Sequence, residues 1–319
     1  MRRSHGTLNH MTVVRRCSLT LWLFVVVAGC SSASTNDADT TSSEPSVSST
    51  SSVAAEQPSA QSSVFVPEGS SSISTDDGRT RIYRVVDLSN GEEDVPLLFM
   101  LHGFGGSGAA MSSYTGIESA LTEADIDAVV VYPEGTGAET GSPQSWNAGG
   151  CCPFAMFEPV DDVAFFSRLI STVEADYSTD PDRVWVVGHS NGGMMGYRLA
   201  CELADKISAI GVAAGALMLD SCTPTRAVSA LHLHGELDTV VPINGGNALG
   251  IAFPSTRESV DRYSAAIGCS PDTATLTSAV DRRCGTARVS LVTDAKWTHD
   301  WQPDWSKRFV EFFAATSDA

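Results

Sequence analysis

The chain has 319 residues, 42% of them hydrophobic, and a formal net charge of −18 at pH 7. That length suits one large α/β domain or two small ones. A negative excess of this size repels phosphate backbones and anionic lipid headgroups, which excludes nucleic acid as a partner.

Arg2, Arg3, Arg15 and Arg16 precede an apolar run from Leu19 to Ala28 that stops at Gly29 and Cys30. A positive stretch, a short apolar run and small residues form a secretory signal, because so short a run cannot span a bilayer. Residues 1–29 are therefore read as the signal, with Met11 as an alternative start. Val27, Ala28, Gly29 and Cys30 resemble the lipobox of bacterial lipoproteins, whose cysteine becomes a lipidated N-terminus. Membrane contact is expected through a lipid on Cys30 only, in a cell-envelope lipoprotein, or not at all if the protein is secreted without its anchor. Removing the four arginines of residues 1–29 from a total of −18 leaves −22 on the remainder. Residues 30–63 are mostly Ser, Thr, Ala and acids, with too few large apolar groups to offset their ordering entropy. They read as a disordered tether to a single domain over residues 64–319.

Within that domain apolar strands and helices alternate. Strands are expected at Arg81–Leu88, Val95–Leu101, Ala128–Tyr132 and Arg183–Val187, then at Ile207–Ala213, Val228–Leu233 and Ala287–Val292. Helices are expected at Val160–Tyr177, Asn191–Leu203, Ser255–Ile267 and Pro303–Ala314. The alternation implies an α/β fold with a mostly parallel sheet covered by helices on both faces. Asp161 and Asp162 stand at a helix start, where acids favour the positive end of the dipole; they read as capping and loop-bracing groups.

Gly188, His189, Ser190, Asn191 and Gly192 match Gly-x-Ser-x-Gly between an expected strand and an expected helix. In that setting small residues permit a sharp turn that lifts the serine hydroxyl above the sheet edge. A serine nucleophile needs a base, and the base an orienting acid; in α/β-hydrolases they follow in the order Ser, Asp or Glu, His. That order sorts the seven histidines. His5 and His10 are in the signal, His102 and His189 precede Ser190, and His232 and His234 lie on a strand. His299 alone follows every plausible acid. Asp238 lies in a loop at the carboxyl edge of the sheet, where catalytic groups collect, and is preferred over Asp220. Backbone N–H groups of Asn191 and Phe104 are the expected oxyanion donors, and His102 is read as a brace for the loop that carries Phe104. Trp146, Trp297 and Trp301 are expected to form an aromatic substrate wall.

Of eight cysteines, Cys17 leaves with the signal and Cys30 with the lipid, so six remain for disulfides in an exported protein. Cys201 with Cys222 and Cys269 with Cys284 are the preferred pairs. Cys151 and Cys152 are left open, since adjacent α-carbons lie closer than the usual disulfide span. No metal-ligand spacing is present, and neither metal nor cofactor is expected.

The stretches LHGFGGSG, YPEG, SWNAGGCC, VDDVAFF, RVWVVGHSNGGMMGYRLACE and LHLHGELDTVVP, with the Cys269–Cys284 loop, resemble an exported esterase family. It groups polyhydroxybutyrate depolymerases with feruloyl and acetylxylan esterases. The resemblance implies an α/β-hydrolase with Ser190, Asp238 and His299 as its triad. One departure stands out: relatives carry a glycine pair before the histidine and Trp-Pro after it, whereas in this chain Lys296-Trp297-Thr298 precede and Asp300-Trp301 follow. These bulkier neighbours are expected to narrow the pocket or change the loop. The expected function is hydrolysis of a feruloyl-type, short-chain or hydroxyalkanoate ester. Soluble esters are preferred over polymer, as no stretch is left for a polymer-binding module before Ala319. A polymer depolymerase, and a serine peptidase or acyltransferase of the same fold, are the alternatives. A binding protein with a degenerate site would lack a triad member, and none is missing.

Overall fold

Val95–Leu101 (β3) is buried at all of its positions and holds no charged residue. A strand points successive side chains to opposite faces, so this pattern demands cover on both sides of a sheet. Leu97, Phe99 and Leu101 enter one core with side chains of three helices: α3 (Asp162–Asp176), α4 (Asn191–Glu202) and α5 (Thr256–Ala266). Leu98 and Met100 enter a second core with α1 (Gly108–Thr115), α2 (Ile117–Glu123) and α6 (Trp305–Ser317).

The computed structural model describes residues 66–139, 141–158, 160–269 and 279–317. The chain divides into two units, Met1–Ala60 and Gln61–Ala319, and the described sheet and helices belong to the second. The expected signal, the lipid site at Cys30 and the tether lie outside the described residues. No described helix is long and apolar enough to cross a membrane.

The main sheet adds β1 (Ser71–Ser74), β2 (Thr80–Asp87), β4 (Val129–Pro133), β5 (Thr179–His189), β6 (Ala209–Ala213), β7 (Ser229–Gly235), β10 (Ala279–Cys284) and β11 (Ala287–Asp294). Its order is β1-β2-β4-β3-β5-β6-β7-β11-β10. The pairs from β4 through β11 are parallel, while β1, β2 and β10 are antiparallel margins. After β3 the chain places β4 on one side and β5 on the other. At such a reversal the loops leaving the carboxyl ends of neighbouring strands diverge and open a crevice, which falls between the ends of β3 and β5. A separate hairpin pairs β8 (Gly246–Ala248) with β9 (Ile251–Phe253). Sequence reasoning passes over β1, β10, this hairpin, α1 and α2, all of them short or polar.

Disulfides join Cys201 at the end of α4 to Cys222, and Cys269 beyond α5 to Cys284 at the end of β10. Cys151 and Cys152, left open from the sequence, are bonded to each other. Asp161 caps α3 through its side chain, which accepts from Ala164 N–H. Asp162 braces the loop: its Oδ2 accepts from Asn147 N–H at 2.8 Å, and its Oδ1 lies 2.8 Å from Arg81 of β2. Both ion-pair side chains are almost fully buried, at 3% and 0% exposure, and the guanidinium lies over the Phe165 ring. Asp162→Ala would leave a buried cation without its counter-charge. A loss of about 3–5 kcal/mol is expected in denaturant unfolding, with most of it restored in the Arg81→Leu/Asp162→Leu double variant.

Candidate active site

β5 runs straight into α4, and the residue at the joint, Ser190, has φ 54° and ψ −119°. For a residue with a Cβ this conformation costs on the order of 1–3 kcal/mol and persists only where its surroundings impose it. The imposition comes from both sides. Ser190 N–H donates to Ala213 O of β6 at 2.8 Å. A Cβ at Gly188 would overlap the Gly192 backbone, and one at Gly192 would overlap the carbonyl of Leu101, so the strand and helix meet with no room for side chains. Ser190 is the N-cap residue of α4, yet its side chain makes no capping hydrogen bond; the hydroxyl is left for the cavity above.

Asp238 lies in the turn after β7, with its carboxylate fully buried. Oδ1 accepts from Val240 N–H and Val241 N–H, each at 2.8 Å, and Oδ2 accepts from His299 Nδ1–H at 2.7 Å. His234 Nε2 adds a longer contact of 3.4 Å to Oδ2. Burial works to raise this carboxyl, but the hydrogen bonds from His234 and His299, the charge of His299 and the Val241 N–H outweigh it. They hold Asp238 well below the usual carboxylate range. In the neutral imidazole that donates through Nδ1, Nε2 is an acceptor. Ser190, His299 and Asp238 are thus brought into one arrangement from β5, β7 and the loop after β11.

The loop that carries His299 is held at two points. His189 Nε2–H donates to the His299 carbonyl at 2.6 Å, and Trp301 N–H donates to the Tyr114 hydroxyl at 2.9 Å. Burial, and then the neighbouring His299, push His189 down to about 4, so it is neutral at physiological pH. His102 braces the other side of the crevice: its Nδ1–H donates to Gly103 O at 2.8 Å, and its Nε2 accepts from Gly135 N–H at 2.9 Å.

Ser190 and His299 open onto a cavity of ≈ 330 Å³. Phe104, Met194, Val240 and the Cys151–Cys152 pair supply apolar walls, and Leu249, Ile251 and Phe253 border it from the hairpin. Phe104 is 52% exposed. Asn191 is the first residue of α4, where a helix N–H has no acceptor within the helix. The side chain of Asn191 is committed elsewhere, exchanging hydrogen bonds of 2.8 and 3.0 Å with the Trp146 backbone.

The expected tryptophan wall is corrected by the structure, since none of Trp146, Trp297 and Trp301 borders this cavity. Trp146 is fully buried, donating its indole N–H to His102 O and packing on Phe166. Trp297 packs edge-on against Trp305 beneath Arg308. Trp301 packs against Trp305, Phe309 and Tyr114. Large rings beside His299 fill the second core rather than narrow the pocket. Sequence reasoning also misses the hairpin, the disulfide wall and the supports His189 and His234; only the positions of the two histidines, next to Ser190 and one turn before Asp238, could have signalled them.

Residues 98–318 match the model of the alpha/beta hydrolase family. Feruloyl esterase B of Piromyces equi is 33% identical over 161 residues, covering 49% of this chain and 28% of that protein. Feruloyl esterase C of Emericella nidulans is 29% identical over 185 residues, covering 56% of this chain and 62% of that one. The match spans less than two thirds of either relative's length. The acetyl xylan esterase from Aspergillus awamori superposes with a TM-score of 0.54 at 14% identity, over 73% of this chain and 94% of that one, a likeness of fold.

Burial lowers His102 and His232 as well as His189. These residues stay neutral in the folded chain, while their unfolded counterparts protonate near pH ~6.5. The unfolded state therefore binds more protons as pH falls, and stability declines from about pH 6.5 downward, each residue adding up to about 1.4 kcal/mol per pH unit. For His189 the decline ends near its folded value of about 4. Denaturant midpoints measured across pH 4–7 should show this slope, and His189→Gln should flatten it.

Proposed function

Since the chain belongs to the alpha/beta hydrolase family, we propose that it is a serine carboxylic-ester hydrolase with Ser190 as nucleophile, His299 as base and Asp238 as the orienting acid. The observation that carries the reading is the buried Asp238 carboxylate accepting His299 Nδ1–H beside a strained, uncapped Ser190. An imidazole held in that tautomer presents Nε2 as a proton acceptor.

Ser190 Oγ attacks the ester carbonyl as its proton passes to His299 Nε2. The carbonyl π electrons move to oxygen, and the N–H groups of Phe104 and Asn191 stabilise the oxyanion. Collapse breaks the C–O bond to the alcohol, which leaves with the proton from His299. Water, deprotonated by His299, then attacks the acyl carbon; the bond to Ser190 Oγ breaks, His299 returns the proton to Oγ, and the acid leaves. Asp238 remains ionised throughout and stabilises the imidazolium as it forms.

The apolar lining, whose ionisable side chains are His189 and His299, favours a neutral ester. With the likeness to feruloyl esterases, this points to feruloyl-type or short-chain esters, hydroxyalkanoate oligomers included. The Val27–Cys30 motif supports export with a lipid on Cys30; on that reading Cys30→Ser should move the protein from the membrane fraction to the soluble one, and an unchanged distribution refutes the anchor.

Ser190→Ala should lose at least about 10³-fold in kcat on p-nitrophenyl esters while its circular dichroism stays native. Asp238→Asn should lose about 10³–10⁴-fold, because the wrong tautomer is favoured. Turnover of Ser190→Ala at the wild-type rate would refute the nucleophile. Methyl ferulate, p-nitrophenyl esters of graded chain length and a polyhydroxybutyrate emulsion separate the substrates: hydrolysis of the emulsion but not of ferulate would make the polymer the substrate.

A further inference from the structure

The hairpin beyond Asp238 pairs Ala248 with Ile251, which leaves Leu249 and Gly250 as a two-residue turn. Both lie in the left-handed region, with φ of 53° and 78°. A turn with positive φ at both central positions is the tight hairpin turn for which Asn-Gly and Asp-Gly are selected. Gly250 meets that requirement and Leu249 does not. A γ-branched side chain is strained in this well, and leucine lacks the short polar group with which asparagine or aspartate offsets the cost through local hydrogen bonds. Nor does burial explain it, because Leu249 is 78% exposed. Neither turn chemistry nor core packing accounts for leucine at this position.

Its surroundings do. Leu249 borders the cavity onto which Ser190 and His299 open, and Ile251 and Phe253 line the same side from the following strand. We infer that Leu249 is a specificity-determining residue, an apolar contact at the cavity mouth that closes on the hydrophobic part of an ester too long for the cavity alone. The inference rests on the ester-hydrolase reading of this site and adds to it the element that discriminates by apolar length. In the free enzyme the side chain bears the cost of its backbone conformation and of its exposure to water. The bound substrate removes the second cost, since burying the isobutyl group against an alkyl or aryl chain withdraws apolar surface from both. The effect therefore grows with substrate length and is smallest for an acetate.

Wild type, Leu249→Asn and Leu249→Met separate this from a purely structural hairpin. The readouts are the thermal midpoint and the ratio of kcat/KM for p-nitrophenyl octanoate to that for p-nitrophenyl acetate. Leu249→Asn should raise the midpoint by about 2–4 °C, as relief of a strained turn does in a domain of this size, and should lower the ratio about tenfold. Leu249→Met, which keeps an apolar side chain on the same backbone, should hold the ratio within about twofold of wild type. An unchanged ratio in Leu249→Asn overturns the inference. An equal fall in Leu249→Met overturns it as well, because apolarity is then not what acts. A lower midpoint in Leu249→Asn overturns it too, the loss then coming from a damaged hairpin. Wild-type turnover no greater than that of Ser190→Ala overturns the ester-hydrolase reading and the inference with it, whereas an altered outcome in an active enzyme overturns the inference alone.

Discussion

A fully buried carboxylate, Asp238, sets the constraint that the candidate site is built around. A lone anion in that position would be too costly to keep ionised, so its oxygens must be met by donors, with His234 Nε2 adding a longer contact. Two donors come cheaply from the turn itself, the N–H groups of Val240 and Val241. The third, His299 Nδ1–H, arrives from a loop 61 residues further on. Satisfying the charge therefore fixes the position of the imidazole, and the same hydrogen bonds hold the carboxyl well below its ordinary range, ready to steady an imidazolium.

Behind the carboxylate the interior continues as a chain of polar groups. His234 Nε2 lies 2.8 Å from Val241 O, and a carbonyl only accepts, so that nitrogen carries the proton. His234 Nδ1 must then accept from His232 Nε2–H at 3.1 Å, and His232 Nδ1 from the Tyr197 hydroxyl at 2.9 Å. Each tautomer follows from its neighbour, beginning at one carbonyl. Burial, and then His234, keep His232 neutral, well below its usual range. The chain links α4, whose N-cap is Ser190, to β7, which leads to Asp238, so the elements carrying Ser190 and Asp238 share one buried network. Such a network is sound only when every member is satisfied, which is why a histidine can occupy the centre of a strand that otherwise reads as apolar.

The strand-rich interior was legible because β3, β4 and β7 are apolar runs too short for helices, and the elbow because small residues flank Ser190 at a strand-to-helix joint. His299 was legible only through chain order, its own surroundings saying nothing. What stayed hidden was whatever tertiary packing decides. A tryptophan reads equally well as pocket wall or core, and only the layout of helices shows that Trp146 is core and that Trp297 and Trp301 are half-buried against the second core. α1 and α2 escaped notice because they are short and meet at Gly116, which ends one and begins the other. The Cys151–Cys152 bond was left open because the span of ordinary disulfides does not govern adjacent residues. The hairpin over the cavity is two strands of three residues, below the length at which alternation is a signal.

The residues around His299 carry the clearest case of one constraint answering another. The histidine is flanked by large side chains, and the loop still approaches the end of β7 so closely that a Cβ at Gly235 would overlap the Trp297 carbonyl. The glycine that permits this approach stands on the strand, not in the histidine loop. The bulk at 297 and 301 then serves as anchorage, since both indoles pack on Trp305 of α6. Trp301 N–H bonds to Tyr114 and the His299 carbonyl to His189, so the loop is tied on one side to Tyr114 and on the other to the strand-to-helix joint at Ser190. A loop held in this way does not depend on glycine turns for its shape. Its large side chains stay out of the cavity, whose walls are instead the disulfide at Cys151–Cys152 and the hairpin that carries Leu249.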